Sequence, residues 1–237
     1  MGDDDKPLPI VEHWLELRKR LLTSIACIFL FSLISYFFSG QLIRLLIKPY
    51  KETLIFISPT EAFLVTIKIS IVSGVILCTP IILYNLWKFI SISLNRSLRK
   101  QVLYYCSTST MLSILAMLFA YLLVIPAGLK VLLGVGKEFV KPMITVSNYF
   151  SFVIVVTLGF MLVFQLPLII ICLVRNNVVS LDRLSANRRY VILCVFVGAA
   201  LLTSPDAVTQ LCLAIPLIIL FEGSLLFLKI FPNRGSY

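Results

Sequence analysis

The sequence lacks the motifs that mark most enzyme classes. It contains no GxxxxGK[ST] phosphate loop, no HExxH metal motif and no GxSxG nucleophile motif. Its single histidine, His13, cannot hold a metal by itself, and none of its six cysteines belongs to a CxxC pair. No apolar segment pairs two carboxylates, as an intramembrane aspartyl protease requires. We therefore expect no catalytic site, no metal site and no cofactor.

Charged residues are also scarce. They make up 14% of the chain, whereas about a quarter is usual in soluble proteins, and 59% of the residues are hydrophobic. Several apolar runs reach the roughly 20 residues that a membrane helix needs. The formal charge of +10 need not indicate nucleic acid, because the aromatic residues lie in the apolar runs rather than among the basic clusters. Anionic lipid and membrane topology explain the basic excess better.

Six apolar segments predict an all-α integral membrane protein with six transmembrane helices. We place the spans at about 22–38, 64–92, 102–125, 149–174, 190–203 and 208–228. Fourteen of the 21 basic residues fall on the side of the N-terminus, and this bias predicts that both termini are cytoplasmic, N-in and C-in. We expect a polar lead or cloning remnant at 1–8, one membrane domain at 9–229 and a cytoplasmic tail at 230–237.

The last two spans are predicted to be short. The fifth has fourteen residues, about 21 Å of helix against a hydrocarbon core of about 30 Å. Pro216 is expected to break the sixth, and the tight SPDA turn joins the two. Such a pair should thin the bilayer locally or leave a water-filled notch. Earlier in the chain, Pro126 is expected to end the third span.

Each of three polar residues at or near the later spans has two possible interpretations. Gln165, in the middle of span four, is either an ordinary interhelical hydrogen-bonding group or a station for a partner helix. Asp206 either caps the start of span six or contacts a partner. Glu222 is expected to snorkel or to pair with Lys229.

The stretch VEHWLELRKRLL differs from everything that follows it, because it is rich in charge. Glu12, Glu16 and Arg20 recur at every fourth position, so a helix would align them on one stripe. The opposite face carries apolar residues at helical spacing: Ile10, Trp14, Leu17 and Leu21. Such a helix suits the boundary between water and lipid.

Two functional classes fit these features: a binding and assembly protein without catalysis, and a polytopic solute or ion transporter. A transporter usually shows an internal repeat with broken or charged helices at the midplane of both halves. No convincing repeat relates the first three spans to the last three.

Seven ordered motifs resemble the TatC family, the multi-spanning receptor component of the twin-arginine protein translocase. They cover about residues 9–229 and read EHWLELRKRLL, TPIILYNLWKFI, FAYLLVIP, NYFSFV, FQLPL, RRYVI and LTSPDAVTQLCLAIPL. The resemblance implies a glove-shaped, concave bundle of six helices with two short final helices. It also implies a bacterial cytoplasmic (inner) membrane, with a thylakoid or mitochondrial inner membrane as alternatives.

The resemblance further implies partners and site residues. Expected partners are twin-arginine signal peptides of folded cargo, TatA/TatB-type single-span proteins, further copies of the chain and the bilayer, with transport dependent on the proton-motive force. The signal-binding carboxylate of the family falls on Glu16, beside the motif arginine Arg18, and the family's cytoplasmic aromatic residue falls on Phe89. Other positions of structural or functional weight match Pro49, Tyr121, Tyr149 and Asp206.

Two departures from the family pattern bear on the site. A second acidic residue is often found in the first cytoplasmic loop, where this chain has Leu98, and Glu12 is the candidate substitute. Many bacterial members carry a glutamate where this chain has Gln165, and a glutamine cannot relay protons by titrating. For Glu12 and Glu16, a solvated stripe of charge on a helix remains the competing interpretation.

Overall fold

The computed structural model describes residues 10–48, 50, 54–93, 96–134, 144–176, 178–202 and 207–230. The side chains of 10–13, 92–100, 132–133, 201–209 and 212–213 lie outside this description. The helices are α1 (Ile10–Phe37), α2 (Ser39–Ile47), α3 (Pro59–Ser93), α4 (Arg96–Phe119), α5 (Ile125–Gly134), α6 (Val146–Val163), α7 (Leu166–Arg175), α8 (Leu181–Ala186), α9 (Arg188–Leu202) and α10 (Ala207–Ile230). The fold is thus all-α over the described ranges, as predicted.

Four helical stretches within these ranges are long and apolar enough to cross a membrane: Trp14–Phe37, Pro59–Ser91, Gln101–Val131 and Val146–Arg175. They coincide with the first four predicted spans. The count of six spans and the N-in, C-in orientation stay predictions.

The charged opening segment and the first span form one helix. α1 runs for 28 residues, and no proline or glycine interrupts its sequence. Trp14 and Leu21, on the predicted apolar face, are 67% and 57% exposed in the isolated chain. Apolar side chains that the protein does not cover are suited to lipid, which agrees with a helix that begins at the membrane surface.

Pro126 does not end the third span, contrary to the prediction. The chain passes from α4 through a π-helical turn at Ala120–Val124 into α5, which contains the proline. The N–H of Ile125 bonds to the carbonyl of Ala120, so the helix is locally wider than an α-helix. Because proline has no N–H and its ring crowds the preceding turn, a π turn lets the helix continue past it.

The prediction of two short final helices holds for one of them. α9 has 15 residues, about 22 Å of helix. α10 has 24 residues, about 36 Å, and it continues through Pro216, so the prediction was wrong for the last helix. A proline removes one backbone hydrogen bond, and a helix packed among neighbours tolerates that loss. α10 packs against α9, α7 and α5.

The fourth span is divided near its middle. α6 ends at Val163, and α7 begins at Leu166 with Pro167 in its first turn. A proline fits the first turn of a helix because that position needs no N–H donor. The interruption places Gln165 at the N-cap of α7 rather than inside a regular helix.

The chain divides into two compact units. The first contains the chain up to Phe37 together with Ser70–Thr110, and the second contains Phe38–Ile69 and the chain from Met111 onward. In the first unit, α1 and α3 approach closely at Gly74, where an added Cβ would lie 2.6 Å from the backbone nitrogen of Ser32. Glycine is needed here because its missing side chain permits this approach.

The second unit has an aromatic core. Tyr149, Phe150 and Phe160 are at most 1% exposed. The rings of Phe119 and Phe160 lie 5.7 Å apart, centroid to centroid, and those of Phe119 and Phe164 lie 5.9 Å apart. These distances are typical of aromatic pairs that stabilise a packed core.

Candidate functional site

The predicted signal-binding carboxylate lies near the start of α1. Glu16 keeps 27% of its side-chain surface exposed, and its Oε1 accepts a hydrogen bond from a guanidinium nitrogen of Arg20, one turn later. Arg18, between them in sequence, is exposed. The side chain of Glu12 lies outside the described residues, so its predicted role is untested. Glu16 is therefore a partly exposed carboxylate, and Arg20, the side chain that binds it, lies one turn away on the same helix.

Arg20 is more enclosed than the carboxylate that it binds. Its side chain is 13% exposed, and its Nε is buried without an acceptor among the residues that the structure describes. One turn further along α1, the hydroxyl of Ser24 accepts a hydrogen bond of 3.0 Å from the side chain of Asn85 on α3. The polar stripe of α1 thus continues from the charged segment into the interior of the first unit.

The C-terminal turns of α3 carry the predicted aromatic residue and a polar contact that the sequence did not reveal. Phe89 is half-buried. Trp87 donates from Nε1 to the hydroxyl of Ser109 at 2.6 Å, and its ring stacks on Tyr105 at 4.9 Å. The WKF motif pointed to this segment, but nothing in its spacing identified the partners on α4. The stacked pair fixes the end of α3 in the unit that also contains Glu16.

Gln165 forms an interhelical hydrogen bond. Its Nε2 donates to the hydroxyl of Ser113 on α4 at 2.8 Å, and the residue is 9% exposed. This contact agrees with the ordinary structural interpretation of Gln165, and a role in binding a partner stays a prediction.

Tyr121 and Tyr149 meet at the end of α2. Tyr121 donates to the carbonyl of Leu45 at 2.7 Å, and Tyr149 donates to the carbonyl of Leu46 at 2.6 Å. The last carbonyls of a helix lack partners within the helix, and the hydroxyl of Tyr149 supplies one for Leu46. The carbonyl of Leu45 also accepts from the N–H of Lys48 at 3.3 Å, so Tyr121 is its second donor. Tyr50 packs on Tyr149 with ring centroids 5.4 Å apart. Pro49, also predicted here, lies outside the described residues.

A second carboxylate, Glu61, joins two connections of the second unit. Its Oε2 accepts from the backbone N–H of Ile57 at 2.9 Å, and its Oε1 accepts from the backbone N–H of Ser147 at 2.7 Å. Nearby, Ile55 and Thr145 form an isolated parallel β-bridge. The SPTE sequence predicts a helix cap at Ser58 and Glu61, and Glu61 does cap α3. The bond to Ser147, 86 residues away, has no signal in the sequence.

The remaining predicted polar residues belong to the end of the chain. Asp206 lies outside the described residues. Glu222 forms an ion pair of 3.4 Å with Arg188 on α9, so the expected pairing with Lys229 was wrong. The two helices pack against each other, which brings Arg188 closer than a residue two turns along the same helix. No group of three metal-binding side chains occurs within the described ranges.

Comparison with protein families gives a match over most of the chain. A family model described as Sec-independent protein translocase protein (TatC) matches residues 12–216. The chain is 37% identical over 230 residues to the Sec-independent protein translocase protein TatC of Carboxydothermus hydrogenoformans, with 95% of each chain covered. It is 33% identical over 233 residues to the TatC of Escherichia coli, covering 96% of this chain and 90% of that one.

A solved structure is similar as well. The crystal structure of a twin-arginine translocase receptor, TatC, in DDM aligns with a TM-score of 0.84 at 35% sequence identity. The alignment covers 91% of this chain and 98% of that one. These two relatives and the solved structure each cover more than nine-tenths of this chain.

Proposed function

This chain belongs to the TatC family of Sec-independent protein translocase proteins, and on that premise we propose that it binds the twin-arginine signal peptides of folded proteins through Glu16. Membership makes the chain a multi-pass membrane protein and a translocase component, with a receptor's role rather than an enzyme's. The alternative of a solute or ion transporter is not favoured.

The proposal rests on the exposure of the Glu16 carboxylate and on the identity of its partner. A twin-arginine peptide presents two permanently charged guanidinium groups, which prefer carboxylates in bidentate geometry. Glu16 is partly exposed, and its described side-chain partner lies on the same helix. An i,i+4 pair is worth about 0.3–0.5 kcal/mol when exposed and more when it is partly enclosed as here, whereas hydrogen bonds to charged groups are worth about 1.5–3 kcal/mol each. The carboxylate is therefore able to exchange its partner.

Nearby groups supply the rest of the proposed site. Arg18 is exposed beside Glu16, and Phe89 is half-buried in the same unit. We assign Phe89 to apolar contact with the peptide and Glu12 to the second arginine, since Leu98 offers no charge. The finer topology belongs to the same proposal: one membrane domain over 9–229, six spans, and both termini in the bacterial cytoplasm, where signal peptides are presented.

The family also suggests partners in the membrane. TatA/TatB-type single-span proteins and further copies of this chain are the proposed partners, with the proton-motive force driving transport. Gln165 and Asp206 are candidate contacts for them. Tyr121 and Tyr149 have a structural role within the second unit, where their hydroxyls donate to carbonyls at the end of α2.

Peptide binding to the purified, detergent-solubilised chain tests the proposal. We expect a fluorescent peptide with consecutive arginines to bind, and its Lys-Lys counterpart to bind at least about tenfold more weakly, because lysine lacks the bidentate fork. Glu16→Gln should weaken binding of the arginine peptide by about tenfold or more.

The matched control is Asp182→Asn, which removes an exposed carboxylate from α8 and should leave binding unchanged. Equal binding of the two peptides, or unchanged binding by Glu16→Gln, would overturn the assignment.

A further inference from the structure

The strongest unexplained feature of the molecule is the enclosed guanidinium of Arg20. Its side chain is about half as exposed as that of Glu16, although a free arginine on a surface helix normally extends into water. Its Nε is buried and has no acceptor among the described residues, and within them the guanidinium of Arg20 pairs with the carboxylate of Glu16. A partly enclosed charge depends more on its partner than an exposed one, because less water is available to replace that partner.

The chemistry of this pair matches that of the proposed complex. Glu16 would bind an arginine of the signal peptide, and in the free protein the same carboxylate already binds an arginine of this chain. An internal group that occupies a binding site reduces the apparent affinity of every ligand by the fraction of time that the site is open. The reduction is the same factor for a strong and for a weak ligand.

We propose that Arg20 is an intramolecular competitor that occupies Glu16 and thereby sets the affinity threshold for signal peptides. This inference rests on the proposed function and adds a residue that regulates the same site. A peptide with two well-placed arginines displaces Arg20, whereas a peptide with one arginine or with lysines stays below the threshold. Arg20 lowers the affinity for both kinds of peptide by the same factor, so the ratio of their affinities does not change. The peptide that binds more weakly then no longer binds at working concentrations.

Arg20→Gln tests this inference because it keeps part of the side-chain stem and removes the guanidinium. We expect the twin-arginine peptide to bind roughly two- to tenfold more tightly to this variant than to the wild type. A peptide in which one arginine is replaced by lysine should gain affinity by the same factor. Lys19→Gln is the matched control, since it removes one positive charge from the neighbouring, exposed position and should change binding less than twofold.

A second measurement tests the ion pair between Arg20 and Glu16 in the absence of peptide. Carbodiimide labelling of Glu16, quantified by mass spectrometry, should increase in Arg20→Gln and stay at the wild-type level in Lys19→Gln. Unchanged labelling, or unchanged or weaker peptide binding by a folded Arg20→Gln variant, overturns the inference. If the wild type does not prefer arginine over lysine peptides, the proposed function fails, while the labelling experiment still decides whether Arg20 covers Glu16.

Discussion

Each of the two units contains a carboxylate near the start of a helix, and the two are held in different ways. Glu16, in the first unit, is bonded to a side chain on its own helix. Glu61, in the second unit, is bonded to backbone N–H groups that precede α3 and begin α6. The partner of Glu16 is a side chain, which can rotate away, whereas the partners of Glu61 are two backbone N–H groups, which cannot. The same chemical group is therefore exchangeable in one unit and fixed in the other.

The two units also differ in the residues that form their helix contacts. The first unit uses small and polar residues where α1 meets α3, such as Ser32 against Gly74 and Ser24 with Asn85. The second unit uses buried aromatic rings, such as Phe150 and Phe160. Small residues allow close approach but contribute little buried area, so α1 depends on the fit of its backbone against α3.

The largest effect is therefore expected at this close approach. Gly74→Leu places a side chain where even a Cβ would lie 2.7 Å from the Cα of Ser32, so α1 and α3 must separate. We expect a loss of about 3 kcal/mol in the free energy of unfolding, because overpacking of a tight contact is not relieved by rotamer changes. Thermal unfolding in detergent measures it.

Gly198→Leu is the control for the same substitution, because nothing lies within 4 Å of the added Cβ at that position. Its stability should stay within about 0.5 kcal/mol of the wild type. Equal loss in the two variants would show that α1 is not held by its close contact with α3.

The next largest effect on stability is expected from removing the carboxylate of Glu61. Glu61→Ala leaves the N–H groups of Ile57 and Ser147 without their acceptor, so both helix starts should open more often. Amide hydrogen exchange should become faster at these two residues, and Tm should fall by less than in Gly74→Leu. Peptide binding should be unaffected.

By contrast, Glu16→Gln should lower peptide binding with little change in Tm. If the two glutamate variants had the same profile of binding and stability, the distinction between an exchangeable and a fixed carboxylate would be lost.

The sequence predicted those features of the two carboxylates that depend on residues within one helical turn. Helical spacing predicted the stripe of Glu16 and Arg20, and the SPTE sequence predicted the cap at Glu61, because both depend on neighbours within one turn. The contact from Glu61 to Ser147 and the bond from Trp87 to Ser109 depend on how distant segments pack, which no local pattern contains.

Errors at prolines have a related cause. Pro126 and Pro216 were read as helix ends or breaks, because proline lacks an N–H and crowds the preceding turn. The structure continues both helices, the first through a π turn and the second within a packed group of helices. Pro167 was different, since it begins α7 after an interruption. The sequence alone does not distinguish these outcomes, because the surrounding helices decide whether the missing hydrogen bond is tolerated.

The smallest effect is expected at Gln165, and it decides between the two interpretations of this residue. Gln165→Leu removes the hydrogen bond to Ser113 and should lower stability by about 0.6 kcal/mol, the average for such bonds between membrane helices. Ser113→Ala should cost a similar amount, and the double variant should lose little more than either single one. Transport of a folded reporter should follow the small loss of stability. If Gln165→Leu abolished transport while Ser113→Ala did not, Gln165 would instead serve a partner helix, and a polar group of the second unit would prove exchangeable like Glu16.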